Sequence, residues 1–286
     1  MTYTITGATG HLGTLVMANM LKLVVPNELR AAVHTPSKAQ SLVDKGVDVV
    51  AIDYLQPDKL AQALQGTDTL VYIPSKTYSV LDRVTELENI LAAMKQAAVS
   101  HIIAVSFFAD QEDNPFTMSA FYGYLPRRLA SSGFKYAILK NSLYADPLIP
   151  YLPELIQRQN LIYPVGDQAL SFISYADSAE AIAKLATQPT LNQDGQSYLL
   201  SQTQNYTMPT LGALMTEATG HKIGYAPVTN AEFAEIYAAE GDGQELASMY
   251  RAGEMGLLAQ TSTAFETITG HEPQDMAAFL KTNYHA

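Results

Sequence analysis

The stretch TGATGHLG, Thr6–Gly13, decides how the rest of the chain is read. It follows a β-branched run, TYTIT, and its glycines, Gly7, Gly10 and Gly13, recur at every third residue. Apolar residues at helical spacing then run from Leu12 to Leu23. A strand that turns at once into a helix needs a residue tolerant of unusual backbone angles, the role expected of Gly7. Gly10 predicts close approach of the main chain to a pyrophosphate, and Gly13 close packing of the helix on the strand. First-turn amides and the positive end of the helix dipole converge there. Gly7, Thr9, Gly10, His11, Leu12 and Gly13 therefore read as a cradle for a dinucleotide phosphate bridge.

Outward from this turn the chain alternates. LRAAVH, VDVVAID, TLVYIP, HIIAVSFF and KYAILKNSLY read as strands, with helices expected over 36–45, 58–65, 81–98 and 118–132 between them. Six strand and helix units with near-continuously apolar strands predict an α/β fold, a doubly wound parallel sheet of Rossmann type. Ligands of such sheets lie beyond the carboxyl ends of the strands, so the residues that close each strand are the candidates for function. After Tyr144 prolines accumulate and helices dominate, with only short strands such as FIS, SYLLS and KIGYAPV. A dinucleotide-binding domain over 1–145 is expected, followed by a smaller, mainly helical substrate part over 146–286. Residues 173–187, with Asp177 as helix cap, are expected to pack back on the first domain. Gly241 and Gly243 would permit a hinge in EGDGQELASMY.

Composition narrows the function classes. With 48% hydrophobic and 16% charged residues in 286, the chain can bury a full core. No run approaches the roughly 20 apolar residues of a membrane span, and Met1 leads straight into TYTIT, so a cytoplasmic protein is expected. The absence of cysteine removes disulfides, thiolate catalysis and Cys-ligated zinc, and the six histidines show no metal-ligand spacing; no metal is expected. A net charge of −11 argues against direct nucleic-acid binding. A monomer or homodimer acting on a small molecule is the expected form.

The end of strand two selects the nicotinamide cofactor, because an acid there bonds the ribose 2′-hydroxyl and a basic residue accommodates a 2′-phosphate. AAVHTPSKA holds no acid. His34, Thr35 and Lys38 favour NADP(H), with NAD(H) possible. Ile73, Pro74 and Ser75 close strand four, Ser106 and Phe107 close strand five, and Leu143 follows in strand six; these are expected along the cofactor.

The GxxGxxG spacing resembles the opening of extended and atypical short-chain dehydrogenase/reductases. HTPSKA, IDY at 52–54, LASSGFKYAILKNSLYAD and the terminal GHEPQDMAAFL are similar to the NmrA-like atypical reductases, the type 2 NAD(P)H:quinone oxidoreductases and triphenylmethane reductases among them, over nearly the whole chain. The resemblance implies Asp53 and Tyr54 near the adenine, and hydride transfer from NADPH to a quinone or similar conjugated, aromatic electrophile. Phe108, Tyr122, Tyr144, Met249 and Tyr250 are the expected substrate walls. A non-catalytic NmrA-type dinucleotide sensor acting through a protein partner is the alternative, and a sugar-nucleotide epimerase or dehydratase a third.

Ordinary short-chain dehydrogenases carry a Tyr and a Lys four residues apart on one helix. Here Tyr72/Lys76 and Tyr136/Lys140 begin inside expected strands, where such residues lie about 13 Å apart instead of roughly 6 Å. FYGYLPRRLASSG offers Tyr124 and Arg128, or Tyr122 with Arg127, as catalytic candidates. Arg127 stands where the relatives carry Lys. If Pro126 opens the helix, Tyr122 and Tyr124 fall in the loop before it.

Overall fold

The computed structural model describes residues 1–240 and 243–285. Six strands form as the alternation predicts: β1 (Tyr3–Thr6), β2 (Leu29–Val33), β3 (Asp48–Ala51), β4 (Thr69–Tyr72), β5 (His101–Phe107) and β6 (Lys135–Asn141). They are followed by β7 (Leu143–Tyr144), β8 (Asn160–Leu161), β9 (Ala169–Ile173), β10 (Gln196–Leu200), β11 (Asn205–Thr207) and β12 (Gly224–Tyr225). One seven-stranded sheet runs β10-β6-β5-β4-β1-β2-β3. The β1–β2, β1–β4, β2–β3 and β4–β5 pairs are parallel, with Ile5 opposite Ala31 on one side and Val71 on the other. Ile5, Ala31, Val71, Ile102 and Ile103 are fully buried, as expected of strands covered on both faces. The fold is a Rossmann-type α/β sheet, and its direction of winding reverses between β1 and β4.

The chain forms two compact units, each assembled from separate stretches. The first comprises Met1–Ser106, Tyr124–Lys140 and Ser178–Tyr198 and is built on the large sheet. The second comprises Phe107–Gly123, Asn141–Asp177 and Leu199–Ala286. It holds a three-stranded sheet, β11-β9-β7, a two-stranded one, β12-β8, and helices including Met208–Thr219, Gly243–Glu254 and Met276–Asn283. The division does not fall at one point near residue 145, because Phe107–Gly123 groups with the second unit. KYAILKNSLY is not one strand either. It breaks at Ser142, whose N–H bonds Leu200 O at 2.9 Å, and Leu143–Tyr144 pairs with β9 instead.

Two local expectations are corrected. Asp177 is not the cap of the helix Tyr175–Thr187 but lies in its first turn; Ser174, the residue before the helix, caps it, its Oγ accepting from Asp177 N at 2.9 Å and donating to the Asp177 carboxylate at 2.7 Å. Pro126 does not open its helix, which spans Ser119–Ala130 with the proline inside. Phe121, Leu125 and Leu129 recur every four residues and are all fully buried. That apolar stripe carries the helix through a residue costing about 3 kcal/mol in a helix interior. Tyr122 and Tyr124 are therefore helical. Of the two hinge glycines, Gly241 lies outside the described residues, and Gly243 begins the helix Gly243–Glu254 as a buried residue.

Candidate active site

β1 ends at Thr6 and the helix His11–Leu23 begins five residues later. Gly7 makes the turn at φ +63°, a conformation that L side chains rarely adopt. Gly10 N donates to Gly7 O at 2.9 Å, and Thr14 N to Gly10 O at 2.9 Å, closing the loop on the first helical turn. A Cβ on Gly13 would overlap the Gly7 carbonyl, so this glycine is required by the packing of helix on loop. At Gly10 a Cβ would sit 3.3 Å from Gly7 O, tight but tolerable, and its backbone is ordinary extended (φ −77°). Packing thus accounts for Gly13 and leaves Gly10 to be explained by what approaches from outside. Gly10 caps the helix with no side chain, and no acid occupies the first turn, so the positive end of the helix dipole there suits an anion. Gly10 and His11 are exposed, Thr9 half-buried and Leu12 buried.

The carboxyl ends of β1 and β4 are tied together beside this loop. Thr6 Oγ1 accepts from Ile73 N at 2.9 Å, and the Tyr54 hydroxyl donates to Ile73 O at 2.8 Å. Asn89 Nδ2 holds Tyr54 O at 2.8 Å. Burial pushes the Tyr54 phenol well above its ordinary range, so it acts as a fixed donor. Ile73, Pro74 and Ser75 are half-buried, with Ser75 Oγ donating to Glu86 Oε2 at 2.7 Å. At the end of β5 Ser106 is 5% exposed, and its buried hydroxyl has no partner. A buried hydroxyl left unsatisfied at this edge costs about 1–3 kcal/mol unless something else bonds it.

After β2, His34 and Lys38 are exposed and Thr35 is half-buried, with His34 Nδ1 3.3 Å from Thr35 Oγ1. Asp53 is engaged by its own loop: Leu55 N donates to one oxygen at 2.9 Å and Gln56 Nε2 to the other at 2.7 Å. These bonds, the Leu55 amide first, lower its carboxyl below the ordinary range. Its side chain is thus a loop brace, and the basic and hydroxyl groups after β2 are what remain for a 2′-substituent.

Tyr124 and Arg128 meet on the helix as the spacing required, and both grip Glu88. The tyrosine hydroxyl donates to Oε1 at 2.7 Å; Arg128 donates through Nε at 2.6 Å and Nη2 at 3.0 Å. Burial works against the Glu88 charge, but the Arg128 and Tyr124 bonds outweigh it and hold the carboxyl below its usual value. Burial and the Glu88 bond both raise the Tyr124 phenol, the opposite of what a proton-transferring tyrosine needs. Arg127 is exposed on the same helix. Tyr72 closes β4, and Tyr136 and Lys140 both lie on β6.

In the second unit, Phe107 joins Phe108, Phe116 and Tyr122 at ring centroid distances of 5.1, 5.8 and 5.5 Å. Phe108 is buried and its N–H bonds Asn141 O at 3.1 Å, whereas Phe107 and Tyr122 are half-buried. Tyr144 belongs to another group: its hydroxyl accepts from Asn141 Nδ2 at 2.9 Å and its ring lies 4.3 Å from that of Tyr175. Tyr250 stacks on Tyr163 at 4.8 Å beside Phe233, and burial raises its phenol. Met249 is half-buried next to it in sequence. Of the expected substrate walls, Phe108 and Tyr122 both meet Phe107, while Tyr144 meets Tyr175 and Tyr250 meets Tyr163 and Phe233. Leu143, expected by the cofactor, is buried on β7 in this unit. Thr6, Asn89, Glu86 and Glu88 were not expected at all; acids inside a helix look like its solvated face, and only the tertiary structure reveals their partners.

A parallel sheet with a glycine-only cradle at the reversal point, an uncapped helix start and an orphaned hydroxyl at the next strand end fits a nicotinamide dinucleotide, and defines a dinucleotide-binding protein. The chain belongs to the NAD(P)H-binding family, whose model matches residues 7–189. It is 28% identical to quinone oxidoreductase 2 of Escherichia coli (strain K12), over 96% of this chain and 95% of that protein. The crystal structure of the NADPH-dependent quinone oxidoreductase of E. coli complexed with NADPH gives a TM-score of 0.91, covering 98% of this chain and 99% of that one. A Staphylococcus aureus structure described as a nucleoside-diphosphate-sugar epimerase is 38% identical with a TM-score of 0.91, covering 98% and 100%. The triphenylmethane reductase of Citrobacter complexed with NADP(H) is 25% identical, also at 0.91, covering 99% and 100%. The chain is an NAD(P)H-binding oxidoreductase, and it is 22% identical, over 96% of its length and 92% of the relative's, to an NmrA-like family domain-containing oxidoreductase of Aspergillus flavus. Among the described residues no helix is long and apolar enough to cross a membrane.

Proposed function

We propose that the protein is an NADPH-dependent reductase of quinones or similar conjugated electrophiles, working without a Tyr/Lys acid–base pair. The observation that carries this reading is the commitment of Tyr124 and Arg128 to Glu88, with the phenol raised instead of lowered. When bound, the nicotinamide dinucleotide supplies hydride. The first-turn amides beyond Gly10, those of His11 and Leu12, would hold its phosphates, His34, Thr35 and Lys38 its 2′-phosphate, and the Ser106 hydroxyl a polar group near the end of β5. A reduced quinone carries a weakly basic oxygen that water protonates, so positioning supplies most of the rate and no strong acid is required. Phe107, Phe108 and Tyr122 offer an aromatic surface suited to a flat acceptor. The quinone oxidoreductase and triphenylmethane reductase among the relatives support this class of acceptor.

The test is NADPH oxidation with a panel of quinones and conjugated dyes. Turnover with quinones and tighter binding of NADPH than of NADH are expected; no acceptor exceeding the uncatalysed rate defeats the reading. Tight binding of the oxidised cofactor with a co-purifying partner and no turnover would favour a sensor. The name of the S. aureus relative favours sugar-nucleotide epimerisation as a second reading. That chemistry requires an acid–base group. It would be revived by interconversion of a nucleotide sugar that is lost in Tyr124→Phe.

A further inference from the structure

Arg83 and Glu86, at 8% and 7% exposure, are two of the most buried charged residues, and both lie on the helix Val80–Gln96. Three residues apart, they share a face of that helix. Both reach the segment after β4, the strand that adjoins the glycine loop at the reversal point. Glu86 Oε2 accepts from Ser75 Oγ at 2.7 Å, and Ser75 Oγ accepts in turn from Thr77 N at 3.3 Å. Arg83 Nε donates to Thr77 O at 3.1 Å, and Thr77 Oγ1 accepts from Ser79 N at 3.2 Å. Ile73, two residues upstream, is fixed separately by Thr6 and Tyr54. Every turn of this loop is thus anchored, and the anchor at Ser75 is a buried acid.

Desolvating a carboxylate is costly, and a serine alone compensates it weakly. A neutral residue of the same shape would be buried at less cost. We propose that Glu86 is a positioning residue for the dinucleotide: its ionised carboxylate, acting through Ser75, holds the 73–79 loop in the form that receives the cofactor, and protonation slackens that hold. A bond from a hydroxyl to a carboxylate is roughly twice as strong as one to a neutral oxygen. The groups facing Glu86 are Arg83 and Asp82 of its own helix and Asp53 and Tyr54 of the loop after β3. Asp58 and Lys59, on the helix Pro57–Ala63 packed alongside, are exposed. Burial raises the Glu86 carboxyl above its ordinary range, the Ser75 bond and Arg83 opposing it. The change of state therefore falls above the usual glutamate titration near pH 4.3.

The inference rests on the dinucleotide-binding reading, and wild-type affinity for NADP+ tests that reading by itself. Dissociation constants for NADP+ measured by calorimetry in wild type and Glu86→Gln from pH 8 to 5 test the inference, the ligand's own titration cancelling in their ratio. At pH 8 the variant should bind about fivefold more weakly, and the ratio should approach one on acidification. Ser75→Ala, at a half-buried position, should weaken binding at pH 8 and abolish the effect of a further Glu86→Gln change. Because the folded state favours the protonated acid, its stabilising contribution is present at low pH and lost as pH rises through the folded value. Glu86→Gln should therefore melt higher at pH 8 even as it binds more weakly. Equal affinities at pH 8, or a ratio that is the same at every pH, overturns the proposal.

Discussion

The glycine loop and the Ser119–Ala130 helix each present a motif at the right spacing, and they end differently. At Thr6–Gly13 the functional groups are main-chain amides, and the missing side chains determine the geometry: Gly13 admits the helix, Gly7 makes the turn, and Gly10 keeps the approach to the helix start open. On the helix the functional groups are side chains, and Glu88 takes both of them. Spacing shows which groups can meet. What they are free to do depends on a third residue from a distant part of the chain.

The largest expected effect separates fold from binding within the loop. Gly13→Ala forces a Cβ into the Gly7 carbonyl, where neither partner is a flexible side chain; a loss of about 3 kcal/mol in denaturant unfolding is expected, at the upper end of overpacking costs. A variant as stable as the parent would mean that helix and loop are not packed as described.

On the helix, Glu88→Gln keeps the shape and removes the charge that Arg128 holds. The Glu88 side chain is 38% exposed, so about 1 kcal/mol of stability at pH 7 is expected to go, measured by urea unfolding. The sign with pH follows from the lowered carboxyl: its contribution is present above the unfolded value near 4.3 and disappears as pH falls through the folded one. Wild type and variant should therefore converge in acid.

Tyr124→Phe should be smaller still, with quinone turnover within about twofold of wild type, against the 10²–10⁴-fold loss expected for a general acid. A loss of that size would erase the contrast between loop and helix.

The order of strands and helices and the loop were legible because they depend on local pattern: β-branched runs, helical periodicity, and glycine at fixed offsets. β10 was recognisable as the strand SYLLS, but its place in the large sheet beside β6 was not, since that partner lies far back in the chain. Pro126 misled because local propensity opposed a buried stripe of Phe121, Leu125 and Leu129, and packing prevailed. Glu86 and Glu88 stayed hidden for a related reason. The charge pattern of a helix does not reveal which acids are buried, and Ser75 and Arg128 can be assigned to them only when the packed helices are seen.

Dinucleotide binding depends above all on the open approach over Gly10 to the first-turn amides of the helix. Gly10→Val keeps an ordinary backbone conformation and meets only Gly7 O at its Cβ, so the protein should fold, while the added side chain occupies the approach to those amides. Calorimetric titration of the folded variant with NADPH should show affinity reduced by at least about tenfold, roughly 1.4 kcal/mol. Binding as tight as that of the parent would contradict the account.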